Sequence, residues 1–177
     1  MEPCRLIGLS GKQFAGKDHV ADWLCAHLPG FTKRPLAGAI KTTYCQQHGL
    51  TLDQLEANKA THRPGLIALG DWGRAQDPDY WIRQVLAQPG WWIVPDVRLP
   101  REHAMLRGQD AFLIRVEATR AVRAQRGRLV SEEDPTETAL DDITDWDAVV
   151  NNNSTVQDLD AALAPVLRQI QPWASPL

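Results

Sequence analysis

Gly11, four residues, then Gly16-Lys17 constrain this chain more than any other feature, because of what flanks them. Before them runs the apolar stretch Arg5 to Ser10; after them Val20, Trp23, Leu24, His27 and Leu28 recur at i, i+3, i+4 spacing. Strand, glycine turn and helix in that order aim the N–H groups of the turn at one point near the helix's positive end, which is how a backbone cradles a phosphate. Lys17 then reaches the outer phosphates of a nucleotide. The next residue usually carries a hydroxyl toward Mg²⁺, and here it is Asp18. A carboxylate beside phosphate oxygens is repelled unless a divalent cation lies between them, so Asp18 is either metal-linked or a helix cap favoured by the dipole. Lys12 adds a second cation inside the turn.

The rest of the chain alternates in the same way. A short strand is expected in Phe31 to Ala37, then a helix over Gly38 to His48 that stops at Gly49. Residues 52 to 76 read as helix broken at Pro64-Gly65, and the next helix opens with Asp77 as N-cap and Pro78 as first helical residue. Trp91 to Val94 and Ala111 to Ala118 read as buried strands, the first closed by Pro95-Asp96. After an arginine-rich helix come a last strand near Asp147 to Asn153 and a closing helix, weakened at Pro165, from Thr155 to Ile170. Such alternation predicts an α/β fold: a parallel sheet of about five strands, helices on both faces, and a ligand crevice at the strands' carboxyl ends.

A formal net charge of −3 excludes a general nucleic-acid or acidic-membrane binder, since both need a basic excess to displace counterions. Any anion site is therefore local. Cys4, Cys25 and Cys45 match neither a disulfide framework nor zinc spacing, and the early apolar run is too short for a leader or a membrane span. A cytoplasmic protein, with no nucleic-acid or membrane partner, is the expectation.

The stretch Leu9 to Leu24 resembles the phosphate loop of the deoxynucleoside monophosphate kinases and of the related animal-type phosphomevalonate kinases, in which Gly-Lys-Asp replaces Gly-Lys-Ser/Thr. The likeness continues at Leu36 to Lys41, Ala68-Leu69-Gly70, Tyr80-Trp81, Val94 to Arg98 and the asparagine-rich turn after Val150. Where those enzymes have Asp-Thr-Arg, this chain has Asp96-Val97-Arg98. The resemblance implies one P-loop kinase domain over residues 1–177 with the three-layer P-loop NTPase fold and a short lid at about 120–140. It also implies ATP with Mg²⁺ as cofactors and transfer of the γ-phosphoryl group to a (deoxy)nucleoside 5′-monophosphate. A phosphomevalonate-type acceptor is the second reading, a silent nucleotide switch the third, and a homodimer is compatible with all three.

On that footing Gly11, Lys12, Ala15, Gly16, Lys17, Asp18 and His19 form the nucleotide-holding loop, and Asn152 lies toward the donor adenine. Lys41, Arg74, Asp96 and Arg98 are acceptor-side candidates, with Asp18 and Asp96 the metal-side carboxylates. Arg120, Arg123, Arg126 and Arg128 crowd one short stretch, and the unpatterned segment Arg128 to Asp142 beyond them suits a flap, mobile without ligand and ordered over it. Arginines at its base neutralise transferring charge; Arg120 and Arg123, with Lys12 and Lys17, form the expected catalytic set. No histidine stands in ligand spacing and no nucleophile–histidine arrangement is present, which suits a phosphate acceptor already mostly dianionic near neutral pH. Trp72, Gln76 and Tyr80 offer flat and amide surface for a base edge.

Overall fold

A computed structural model describes residues 5–174. Two compact units emerge: unit 1 comprises the chain up to Lys33 and from Gly90 onward, and unit 2 the intervening Arg34–Pro89.

Unit 1 holds five parallel strands, β1 (Arg5–Ser10), β2 (Thr32–Lys33), β3 (Trp91–Val97), β4 (Phe112–Glu117) and β5 (Ala148–Asn151), in the order β2-β3-β1-β4-β5. Period-2 alternation divides the sheet's faces. Ile7 and Leu9 join Ile93, Ile114 and Val116 in a core against Val20 and Leu24 of α1 (Lys17–His27) and Leu159 and Leu163 of α9 (Val156–Ala174). On the opposite face Gly8 admits Leu113 and Leu106, the latter from α6 (Pro100–Arg107), so closely that a Cβ there would sit 2.6 Å from Leu113. Three layers result, as the sequence implies. The remaining helices of this unit are α7 (Arg120–Arg126) and the single turn α8 (Pro135–Thr138).

Unit 2 is helical: α2 (Leu36–His48), α3 (Leu52–Ala57), α4 (Lys59–Gln76) and α5 (Tyr80–Leu86). Tyr44, Cys45 and Leu55 form its small core, and Trp81 lies against Gly73 while its indole N–H donates to the Gly70 carbonyl at 3.0 Å. Trp81 is thus a packing residue. Trp72 is 49% exposed and meets Tyr80 edge-on at 5.4 Å.

Several local expectations change. The break expected at Pro64-Gly65 falls at Asn58, because Thr51 and Gln54 form a reciprocal capping box that starts α3, and Asn58 both ends α3 and begins α4. Pro64 sits inside α4 on an exposed face. Asp77 ends α4 rather than opening α5; its carboxylate accepts from the Asp79 N–H at 2.9 Å, and α5 starts at Tyr80. β3 runs through Pro95 and Asp96 to Val97, and α9 passes through Pro165. The helix α6 had no counterpart in the sequence reading. Cys25 and Cys45 are free thiols, Cys4 lies outside the described residues, and no helix among those described is long and apolar enough to cross a membrane.

Candidate active site

The loop between β1 and α1 lies at the carboxyl end of the central strand, beside the point where connections diverge to either side of the sheet. Its shape depends on two glycines. Gly11 has φ 154° and a Cβ there would lie 2.4 Å from the Val116 carbonyl; Gly16 has φ 104° and would meet the Asn152 amide at 2.3 Å. Phe14, also at positive φ, is 43% exposed.

Lys17 folds back over this turn, donating to the Gly11 carbonyl at 2.5 Å and the Lys12 carbonyl at 3.0 Å. Burial, followed by the Arg98 charge, lowers its pKa to about 8, with Glu137 and Asp18 acting in the opposite direction. Lys12 pairs with Asp141 at 2.6 Å, and the same carboxylate accepts from Arg115 at 3.0 Å. Arg115 is buried on β4 and also reaches the Ser10 hydroxyl at 3.1 Å. The N–H of Gln13 points at Glu137, whose other oxygen takes a bond from Arg98 at 2.7 Å.

The second wall comes from α7 and β5. Arg123 is buried, donates to the Gln13 carbonyl at 3.3 Å, and has its Nε without a partner. Arg126 donates to the Phe14 carbonyl and to both oxygens of Asn152. Asn152 in turn donates to the Ala15 carbonyl at 2.8 Å, so β5, α7 and the loop are tied together by one buried amide. Beside them opens a cavity of about 380 Å³ lined in part by Lys12, Arg115, Arg123, Asn151 and Asn153.

The family model described as phosphomevalonate kinase matches residues 9–111, from the end of β1 across unit 2 to the start of β4. The chain belongs to the phosphomevalonate kinase family. Two viral proteins are similar over most of it: the uncharacterized proteins ORF77 and ORF76 of Ictalurid herpesvirus 1 (strain Auburn), 26% and 28% identical over 84% and 93% of this chain. The chain spans 64% of the first and 68% of the second. Among solved structures, the shikimate kinase from Aquifex aeolicus vf5 shares the fold with a TM-score of 0.52 at 14% identity, covering 96% of this chain and 98% of that one. TT1252 from Thermus thermophilus does so at 0.57 and 17%, covering 96% and 99%.

Within this phosphomevalonate kinase family member the expected residues are dispersed unevenly. Gly11, Lys12, Ala15, Gly16 and Lys17 converge, and Arg98 and Arg123 join them. Asp18 is exposed on the first turn of α1 and makes no cap; His19 turns to Asp160 of α9 at 2.7 Å. Arg120 points outward and pairs with Glu132 at 2.8 Å. Lys41 and Arg74 belong to unit 2, paired with Glu56 at 2.5 Å and Asp71 at 2.7 Å. Asp96 is the last residue but one of β3 and lies beside Glu102, a half-buried carboxylate whose proton affinity is raised first by burial. Glu102 accepts from the N–H groups of Arg98 and Leu99, so α6 fixes where Arg98 leaves the strand.

Gln13, Arg115, Glu137 and Asp141 were not singled out from the sequence, and Arg126 was named only as one of the arginine cluster. For Arg115 the signal was available: a lone cation inside the apolar strand Phe112–Glu117, which a strand tolerates only with partners. Glu137 and Asp141 sit in an acidic stretch where nothing local marks one carboxylate from the next.

Proposed function

We propose that this chain is an ATP-dependent phosphotransferase that passes the γ-phosphoryl group to a phosphate-bearing small molecule. The observation that carries this reading is the convergence of the Gln13 N–H with Lys17, Arg98 and the buried Arg123 at the strands' carboxyl ends. Cations gathered at that density, one of them buried, are suited to bind and neutralise a group bearing several negative charges. ATP fits the residues present: the Gln13 N–H and the Arg98 guanidinium already hold an anion, the Glu137 carboxylate, and a cavity of about 380 Å³ adjoins the loop.

Mg²⁺ fits in one manner only. No group of three or more His, Cys, Asp or Glu stands ready for a metal among the described residues, so Asp18 and Asp96 would share the ion with phosphate oxygens. The ion then supplies neutralisation of charge on the transferring group. Lys17 holds the outer phosphates, Lys12 and Arg123 flank them, and Arg98 orients either donor or acceptor phosphate. A phosphate monoester, mostly dianionic near neutral pH, needs no general base.

Two acceptor classes divide the support. Family membership favours a phosphomevalonate-type acid, and Lys41 and Arg74 are the candidate cations for it on unit 2. The exposed Trp72 with Tyr80 favours a nucleoside monophosphate, whose base stacks on flat surface. A coupled ADP-release assay with each common ribo- and deoxynucleoside monophosphate and with phosphomevalonate, at equal ATP and Mg²⁺, separates them. Turnover of phosphomevalonate at least about tenfold more efficient than that of every nucleotide, a gap of about 1.4 kcal/mol, rejects the nucleotide reading. ATP hydrolysis indifferent to every acceptor leaves only a switch.

A further inference from the structure

The segment Arg128 to Asp142 is docked on the phosphate loop, and its contacts engage groups that a nucleotide would need. Glu137 Oε2 accepts from the Gln13 N–H at 2.8 Å while Oε1 accepts from Arg98 at 2.7 Å. The Gln13 side chain makes a reciprocal pair with the Val130 backbone, at 2.6 Å to its carbonyl and 3.2 Å from its N–H. Asp141 takes the Lys12 ammonium at 2.6 Å. The Glu137 side chain is 4% exposed, and burying a carboxylate so far costs several kcal/mol unless it is held by charge-assisted bonds.

We propose that Glu137 is an internal stand-in for a nucleotide phosphate: its carboxylate fills the anion cradle made by the Gln13 N–H and the Arg98 guanidinium, and a triphosphate binds only as it leaves. This rests on the reading of the loop as the donor site. One anion replaces another in the cradle, so Arg98 is never left bare, and the triphosphate's extra negative charge falls to Lys12, Lys17 and Arg123. The exchange is also local. Glu137 rides on α8, one turn capped by Asp134 through bonds of 2.9 and 2.7 Å to Thr136, which can shift as a unit. Within the docked segment Leu140 is buried, whereas Val130 is 52% exposed. The docked state thereby reduces apparent nucleotide affinity in proportion to the time the cradle is filled.

A purely structural Glu137–Arg98 pair predicts the opposite response to its removal. Inorganic tripolyphosphate is titrated calorimetrically into the full chain, Glu137→Gln, Glu137→Ala and Lys17→Ala, with amide exchange across residues 134–140 followed in the unsubstituted chain. The stand-in requires Glu137→Gln to tighten binding at least about fivefold, and Glu137→Ala at least as much if it folds. It also requires tripolyphosphate to speed exchange around Glu137. Equal or weaker binding by a folded Glu137→Gln, or exchange unchanged or slowed, overturns the stand-in while normal binding by the unsubstituted chain and loss in Lys17→Ala keep the donor site. Failure of every form to bind overturns both.

Discussion

Lys17 holds its proton less tightly than a lysine in an unfolded chain, at about 8 against the ordinary 10.5, because it is buried beside Arg98. Below pH about 8 it is a cation in both states; between there and 10.5 the folded protein has released the proton and the unfolded chain has kept it, so folding stability rises with pH across that window. Triphosphate binding has the reverse dependence, since it needs the ammonium. At about pH 9 binding is expected to draw in a proton and to weaken relative to neutral pH. Calorimetry in two buffers of different ionisation enthalpy measures that uptake, and Lys17→Arg should abolish it because a guanidinium does not titrate there. Lys17→Ala should lower turnover by at least about a hundredfold, as it removes a cation acting on the transferring charge; near-normal activity in a folded variant refutes the assignment. Asp18 makes no cap, so Asp18→Ala should shift the Mg²⁺ titration of activity, and Asp18→Ser should restore part of it through the hydroxyl. Superposable titrations would remove Asp18 from the metal's surroundings. At this scale the loop was legible because glycine spacing is a local signal. The carboxylates that face it were not, since which of several neighbouring acids turns inward is decided by packing.

Among the elements, the turn between β1 and α1 carries the tightest constraint. Gly16 has a backbone conformation few side chains adopt and faces the Asn152 amide with no room for a methyl group. Gly16→Ala is expected to destabilise by about 1–3 kcal/mol from backbone strain alone, with displacement of Asn152 added. Gly16→Ala combined with Asn152→Ala removes the clash but not the strain, so urea unfolding should show partial recovery. Full recovery would assign the whole effect to crowding. The longer strands and the first helix were legible from the sequence because apolar runs of strand length and one i, i+3, i+4 stripe are local signals. The helix boundaries around residues 57 to 80 were not, because proline is a weaker signal than a capping box: the Thr51–Gln54 pair and Asn58 set the break, while Pro64 is carried within α4. The short α6 shows no wide apolar stripe, burying only His103 and Leu106, and so left no periodic trace.

At the scale of the molecule, the loop, Arg98, Arg123 and the docked segment all belong to unit 1, whereas Lys41 and Arg74 belong to unit 2. If the donor machinery is confined to the first and acceptor choice drawn from the second, Lys41→Ala and Arg74→Ala raise the KM for the acceptor at least about fivefold and leave that for ATP unchanged. Equal effects on both would merge the two roles. The pairing of β1 carries a consequence for how the chain is made. Arg5 pairs with Trp91 and Ile7 with Phe112, so neither partner strand of β1 exists until synthesis has passed Trp91. At roughly 5–20 residues per second that interval lasts several seconds, during which the central strand has an unpaired backbone on both sides. Parallel pairing at such sequence separation is slow to form, and the nascent chain is exposed to aggregation for as long as β1 waits.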